Sequence, residues 1–277
     1  MSHHYYFVQL RRRAIKKFIK LTHKESDWYK IDYWPDIKVT GKKVLFRRKP
    51  LNIQRFSDMS LDVTKESTVN IIGSGPSVKN LDMNKLHNHS NIFLNGAISI
   101  ATEQNLPVFA HVVMDATFVY KRFDLLQSYS ERTKLIVSLG ALCAIAERDL
   151  SIIENNDIYL FNIDQFSEET QFTDNLDDGV VDGGTVMAIA VQVAFHLNPK
   201  RVCLLGLDIS NAKEPRFYEN NQNMQKCGLL NDYNEKILPF MSNAANLFQD
   251  SSIGIFNCSP ISKLPFNIIP YSDCYEK

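Results

Sequence analysis

Three carboxylates, a guanidinium, a phenol and a glycine-serine loop are the residues of this chain whose types and placement suit chemistry. Asp115 closes the apolar run "FAHVVM", where its carboxylate could take a proton from an acceptor hydroxyl or hold a ribose; capping a helix is the alternative role. Asp208, in "LGLDIS", is either a second acid or a buttress for neighbouring loops. Glu219 is a third candidate base, in the polar segment "EPRFYENNQN" (214–223) with Arg216, Tyr218, Asn220 and Asn223. A guanidinium fork beside a phenol suits a leaving phosphate or a substrate carboxylate, and a solvated turn is the bland alternative. Gly73-Ser74-Gly75-Pro76-Ser77 follows "NII" and reads as a strand, a glycine turn and a helix start, an arrangement that points free N–H groups at an anion. Pro76 suits the first helical turn, and Ser77 can offer its hydroxyl. Asn95 carries both a donor and an acceptor for a base edge or sugar hydroxyl, or else serves a left-handed turn before Gly96.

Several chemistries are excluded or left without support. Val78 stands where a third glycine would complete G-x-G-x-x-G, and no Gly-Lys-Ser/Thr follows the loop, which argues against NAD binding and ATP hydrolysis. There is no D-x-D acid pair to hold a divalent ion on a sugar diphosphate, and no H-E-x-x-H. His87, His89 and His111 read as structural, so no metal ligand set and no cofactor is expected. The five cysteines (Cys143, Cys203, Cys227, Cys258, Cys274) show no C-x-x-C spacing and read as reduced thiols filling a core.

These residues must be positioned by a regular framework. From Thr68 onward, short apolar runs at 68–73, 91–95, 108–114, 134–138, 158–162, 201–206 and 253–258 alternate with helix-length segments. This is the pattern of a Rossmann-like α/β fold, a mostly parallel sheet with helices on both faces. In the segment 184–197, Val186, Ile189, Ala190, Val193, Ala194 and Leu197 recur on one apolar helical face, opened by Asp182-Gly183-Gly184-Thr185. Ligands of such sheets bind beyond the carboxyl ends of the strands, and Gly73–Ser77, Asn95, Asp115, Gly183, Gly184 and Asp208 all fall there.

At 277 residues the chain accommodates a lead-in over 1–66 and one large domain over 67–277. Formal charge is zero, so nothing global argues for nucleic acid, but "FVQLRRRAIKKFIKLTH" (7–23) is cationic, amphipathic and free of acids. Phe7, Leu10, Ile15, Phe18, Ile19 and Leu21 sit there among Arg11, Arg12, Arg13, Lys16, Lys17 and Lys20. Such a helix suits an anionic membrane surface; packing on its own domain or on a sister subunit in a homo-oligomer is the alternative. Residues 25–66, with Trp28, Tyr29, Tyr33, Trp34, Pro35 and basic Arg47–Lys49, read as an irregular lead-in or a small β-element. No apolar leader and no stretch of membrane-spanning length is read, so the expectation is a cytoplasmic protein.

Taken in order, "IIGSGPSVKNLD", "FLNGAIS", "HVVMDATFVYKR", "GGTVMAIAVQVAFHL", "RVCLLGLDIS", "RFYENNQN", "KILPF", "IFNCSP" and "FNIIPY" resemble the lipopolysaccharide inner-core Kdo transferases that add a third Kdo residue. The bacterial sialyltransferases that use CMP-sialic acid are similar at greater distance. The resemblance implies a CMP-activated 3-deoxy-2-keto sugar acid, CMP-Kdo, as donor. The acceptor it implies is a lipid A core glycolipid, reached by an enzyme lying peripherally on the inner membrane of a Gram-negative cell. It places Gly73, Ser74, Gly75 and Asn95 against the cytidine nucleotide, with Ser77, Gly183 and Gly184 on the same rim, and Tyr218 with Arg216 against the phosphate. A single phosphate can be neutralised by such donors without a metal. The catalytic histidine of the sialyltransferases has no counterpart, because no histidine follows His196. Asp115 then becomes the first choice for base, ahead of Asp208 and Glu219. A sialyltransferase or another CMP-sugar transferase acting on surface glycans, a pterin pyrophosphokinase-like enzyme with a similar loop, and a non-catalytic nucleotide-binding protein are the remaining alternatives.

Overall fold

The computed structural model describes residues 3–23, 34, 36–41, 43–61, 67–129, 131–164, 172, 175–210, 214–219 and 228–277. Trp28, Tyr29, Tyr33, Pro35, Asn220, Asn223 and Cys227, and the side chain of Phe7, lie outside the described residues.

The chain opens with helix α1 (His3–Thr22), then strands β1 (Ile37–Thr40), β2 (Lys43–Phe46) and β3 (Lys49–Leu51), which pair antiparallel, and β4 (Ile53–Gln54). The alternating part runs β5 (Thr68–Ile72), β6 (Ser90–Leu94), α2 (Ile98–Gln104), β7 (Ala110–Val113), α3 (Ala116–Lys121), α4 (Phe123–Leu126), β8 (Lys134–Ser138), α5 (Leu139–Arg148), α6 (Leu150–Glu154) and β9 (Asp157–Phe161). It finishes with the short pair β10 (Ile163–Asp164) and β11 (Val180–Val181), α7 (Val186–His196), β12 (Arg201–Leu205), α8 (Leu229–Asp232), α9 (Leu238–Asp250) and β13 (Gly254–Asn257).

All seven strand-like runs of the sequence are strands of one eight-stranded parallel sheet, in the order β13-β12-β5-β6-β7-β8-β9-β4. The fold is therefore α/β and Rossmann-like. The eighth strand comes from the lead-in: Ile53 and Gln54 pair with Ile158 and Tyr159, and Phe56 and Met59 enter the main core. Successive side chains along each strand point to opposite faces. Ile71, Ile92, Val112 and Leu204 pack under α7 and α9, whereas Ile72, Phe93, Val113 and Leu205 pack under α2, α3 and α5.

Helix α7 is buried on all sides rather than along one stripe. Met187 to Val191, Val193 and Ala194 are all inaccessible, because the helix lies between β5, β6 and β7 on one side and α9 on the other. Its one buried polar side chain, Gln192, is spent on backbone: Oε1 accepts from Val181 N (2.8 Å), and Nε2 donates to Val181 O (3.0 Å) and Ala188 O (3.1 Å). Before α9 the chain makes a π turn, Tyr233–Ile237, in which Leu238 N–H reaches back to Tyr233 O. Pro239 explains it, since proline has no N–H for the Glu235 carbonyl and its ring would collide there in an α turn.

α1 is docked through Arg12. Its guanidinium bonds the Glu147 carboxylate and the Tyr120 hydroxyl, and lies 4.4 Å from the Trp34 ring centroid. Glu147 is buried, which pushes its carboxyl up, and Arg12 opposes that shift. Arg11, Arg13, Lys16, Lys17, Phe18, Lys20 and Leu21 face outward.

Candidate active site

Between β9 and β12 the chain crosses back over the sheet to the far side of β5, so the strand order reverses at the β5/β12 boundary. A crevice beyond the carboxyl ends is expected at such a reversal. Both loops that meet there carry candidate residues. Gly73 N–H donates to Leu205 O (2.8 Å) and Gly75 N–H to Gly206 O (3.2 Å). Ser77 donates its N–H to Asp208 Oδ2 (2.6 Å) and its hydroxyl to Asp208 Oδ1 (2.5 Å). Burial raises the Asp208 carboxyl above its ordinary value, and the bonds from Ser77 hold the shift back. The glycines are steric requirements: a Cβ on Gly73 would lie 2.8 Å from Gly206 O, one on Gly75 2.5 Å from Asp208 Cγ.

This differs from the free anion cradle expected of the sequence. The loop leads into a five-residue 3-10 turn, Pro76–Asn80, not a long helix with a dipole. Three of its amides already have acceptors, one of them a carboxylate. Ser74, partly exposed, accepts from Phe217 N–H at 3.3 Å and so ties this loop to the 214–219 segment.

The end of β6 is the second wall. Asn95 has a left-handed backbone (φ 46°), the conformation foreseen before Gly96. His111 Nε2 contacts the Asn95 carbonyl at 2.7 Å and Nδ1 the Tyr129 hydroxyl at 2.5 Å. A carbonyl only accepts, so Nε2 carries the proton and Nδ1 accepts from Tyr129. Burial lowers the His111 pKa from 6.5 to about 4, which keeps the ring neutral. His111 is thus structural, as its position inside a strand suggested, and what it holds is the turn at Asn95. The Asn95 side-chain oxygen is buried and has no hydrogen-bond partner among the described residues. An orphaned acceptor of this kind at a strand end suits an N–H or O–H donor from a bound molecule.

Tyr218 closes over this wall. Its ring fits against Gly96, where a Cβ would lie 2.1 Å from Tyr218 Cζ, and the Arg122 guanidinium carbon is 5.1 Å from the ring centroid. Burial raises the Tyr218 hydroxyl above its ordinary value, opposed by Arg216. Arg216 Nη1 donates to Glu219 Oε1 (2.9 Å) and Arg216 N–H to Glu219 Oε2 (3.2 Å).

The structure therefore sorts the three carboxylates. Asp208 is committed to Ser77, and Glu219, with a side chain only 3% exposed, is committed to Arg216. Asp115 is exposed at the end of β7, where Oδ1 caps α3 by accepting from Thr117 N–H at 2.7 Å. Its Oδ2 has no hydrogen-bond partner among the described residues. Gly183 and Gly184 also reach the rim, at the N-terminus of α7, which Thr185 caps. Their contacts are with protein: a Cβ on Gly183 would collide with Ala188 and Phe240, and Gly184 needs its φ of 70°. Asp182 anchors the turn by accepting from Gly184 N–H (3.0 Å) and Lys236 Nζ (2.7 Å). Beside the crevice a cleft of about 360 Å³ opens between Asp82, Glu103, Phe217 and Lys277.

Sequence reasoning left Arg122 and Tyr129 without roles. Nothing in "FVYKR" singles out Arg122, since its value comes from Tyr218, 96 positions later in the chain. It also left the cysteines dispersed, whereas Cys203, Cys258 and Cys274 have sulfurs within 4.8 Å of one another, the only such group of potential metal ligands among the described residues.

No protein-family model matches the chain. Among curated proteins it is similar to the "Probable 3-deoxy-manno-octulosonic acid transferase" of Escherichia coli K12, with 25% identity over 229 residues, covering 72% of this chain and 80% of the relative. The protein of the same name from Salmonella typhimurium LT2 is 24% identical over 234 residues, covering 73% and 86%. The resemblance to Kdo transferases read from the motifs is borne out by these two, and the chain is related by sequence to glycosyltransferases. Among solved structures, a MAf glycosyltransferase from Magnetospirillum magneticum AMB-1 overlays with a TM-score of 0.49 at 15% identity, over 77% of this chain and about a third (35%) of that one. The sialyltransferase CST-II, solved with a trisaccharide acceptor and CMP, overlays with a TM-score of 0.42 at 18% identity, over 76% of this chain and 90% of that one.

Proposed function

We propose that this protein is a glycosyltransferase that moves Kdo from CMP-Kdo to a hydroxyl of a Kdo residue in the lipopolysaccharide inner core. The observation that carries this reading is the sequence relation to the two curated 3-deoxy-manno-octulosonic acid transferases, which runs through most of the chain and most of theirs. The geometry supports it at three points. The orphaned Asn95 oxygen suits an N–H donor such as the exocyclic amine of cytosine. Tyr218, with Arg122 across its ring and Arg216 beside it, offers an O–H and positive charge to a single phosphate. Asp115 has an exposed carboxylate oxygen at the neighbouring strand end.

In this mechanism Asp115 takes the proton of the acceptor hydroxyl as that oxygen attacks the anomeric carbon. The bond from that carbon to the phosphate oxygen breaks through an oxocarbenium-like transition state. CMP departs with the bonding electrons, its charge met by Tyr218 and the arginines, and the anomeric configuration inverts. Asp208 acts by holding Ser77 and the Gly73–Ser77 loop, and Glu219 by holding Arg216. No metal is needed to neutralise one phosphate.

The acceptor is an anionic glycolipid, and α1 supplies a surface for it. Arg12 fixes the helix to α5, so that its arginines, lysines, Phe18 and Leu21 are presented outward to an anionic bilayer. Among the described residues no helix is long and apolar enough to cross a membrane.

The test incubates the full chain with CMP-Kdo generated in place, or CMP-sialic acid, plus a Kdo-bearing lipid A acceptor, with and without EDTA. CMP release coupled to Kdo transfer, resistant to EDTA, is expected. Transfer only from CMP-sialic acid would move the donor assignment to sialic acid, and complete loss with EDTA that Mg²⁺ or Mn²⁺, but not Zn²⁺, restores would overturn the metal-free mechanism.

A further inference from the structure

Fifty-five and sixteen residues separate Cys203, Cys258 and Cys274 along the chain, yet their sulfurs share one site. Each stands on a different, fixed piece of backbone. Cys203 is the middle residue of β12, paired with Asn70 of β5 and Phe256 of β13. Cys258 is the first residue past β13, with its N–H bonded to Leu204 O at 2.8 Å. Cys274 belongs to the C-terminal segment, which is held by Tyr275: its hydroxyl donates to Asn70 Oδ1 (2.8 Å) and its carbonyl accepts from Asp82 N–H (2.8 Å). A bridge between Leu81 and Glu276 continues the contact with Asp82.

We propose that Cys203, Cys258 and Cys274 form a three-thiolate site for a thiophilic divalent ion of the zinc class, which pins the C-terminal segment to the sheet. Thiolate sulfurs on one tetrahedral zinc lie about 3.8 Å apart, from a Zn–S distance of about 2.3 Å. Sulfurs already within 4.8 Å need to close by at most about 1 Å, a shift within reach of cysteine side-chain rotation. Two of the thiols are buried, and the partly exposed Cys274 gives the ion a way in and a side on which water can complete the coordination. Binding releases three protons to buffer and leaves the ion with three thiolates at a net charge of minus one. Arg201, two residues before Cys203 on β12, partly offsets that charge. A monovalent copper ion would leave a double negative charge in the same half-buried space, which favours the divalent ion. In the metal-free protein mutual hydrogen bonding and burial raise the Cys203 thiol, to about 12, and the Cys274 thiol.

The test uses the full chain, reduced and freed of metal, titrated with Co²⁺ as a spectroscopic stand-in for Zn²⁺. The expected result is a thiolate-to-cobalt charge-transfer band that saturates at one equivalent, releases about three protons per ion and is erased by Zn²⁺. Cys274→Ser, at the least buried of the three positions, is expected to abolish the band. Absence of the band in the native chain, or its persistence in Cys274→Ser, overturns the proposal. Alkylation of the native protein read peptide by peptide gives a second measure that needs no variant. Zn²⁺ is expected to slow modification of Cys274 at least about tenfold, and an unchanged rate overturns the site.

Discussion

Replacing Asp208 by asparagine isolates what that carboxylate does. In the native protein its two oxygens receive the Ser77 N–H and the Ser77 hydroxyl, both in the interior. The amide keeps one acceptor and turns an NH₂ toward one of the two Ser77 donors. One charge-assisted hydrogen bond is lost, about 1.5–3 kcal/mol, the other becomes a neutral one, and a donor is left facing a donor. The expected sum is about 2–4 kcal/mol of stability. With a urea m-value of about 3 kcal/mol/M, the unfolding midpoint should fall by about 1 M. The rotatable Ser77 hydroxyl can turn away from the amide, so Ser77→Ala should cost less in the native background and almost nothing on top of Asp208→Asn. That non-additivity is the mark of a shared network. Donor affinity should weaken with the displaced loop. An Asp208→Asn protein whose unfolding midpoint is unchanged while kcat collapses would refute the positioning role and restore Asp208 as a proton acceptor.

Asp115→Asn should abolish transfer while CMP still binds by calorimetry, and near-normal turnover would remove Asp115 as base; the unfolding midpoint should move little, because the asparagine oxygen can still cap α3. Gly96→Ala places a methyl inside the Tyr218 ring, so about 1–3 kcal/mol of overpacking should expel Tyr218 and raise the KM for the donor, and an unchanged KM would show that Tyr218 does not touch it. Between pH 6.5 and about 4 the unfolded chain protonates His111 while the folded one does not, so stability should fall as pH drops through that window, by about 3 kcal/mol in all. Urea titrations at pH 7, 5 and 4 measure it, and a His111→Gln protein with the same pH slope would assign the loss elsewhere. Phe18→Ser with Leu21→Ser should weaken binding to anionic vesicles without changing transfer to a soluble acceptor, and unchanged vesicle binding would leave α1 as a packing element alone.

The sheet was legible because its strands are buried on both faces. Continuous apolar runs such as "NIIG" and "RVCLLG" are what that burial demands, and they need no partner to be recognised. The β4 edge strand was not legible, since two residues paired along one edge carry no pattern. The β2–β3 hairpin was foreseen only as an unplaced small β-element, for a different reason: its turn is Arg47-Arg48, both with positive φ, where asparagine and glycine are the usual signal. Arg47 is held there by Asp36 and by the Phe46 ring, contacts that only the folded chain supplies. At the site, spacing identified which residues reach the rim but not what each one faces. Asp208 and Asp115 look alike at strand ends; only the distance from Asp208 to Ser77 separates a buttress from an open carboxylate. The thiol cluster was invisible for the same reason, being assembled by strand pairing and a returning tail.

The bond between Ser77 and Asp208 also constrains the order in which the protein matures. It spans 131 residues, and the Gly73 and Gly75 amides likewise depend on the far end of β12. Closing so long a loop is entropically costly and comes late, after the local β-α units have formed. A chain emerging from the ribosome can pair β5 through β9 in sequence before β12 has been synthesised. Its glycine loop then has no carboxylate to fix it and no neighbouring strand to bond. Under the proposed function, donor binding should therefore appear only once β12 docks, so that an incompletely made or partly unfolded chain that keeps most of its sheet should not capture donor.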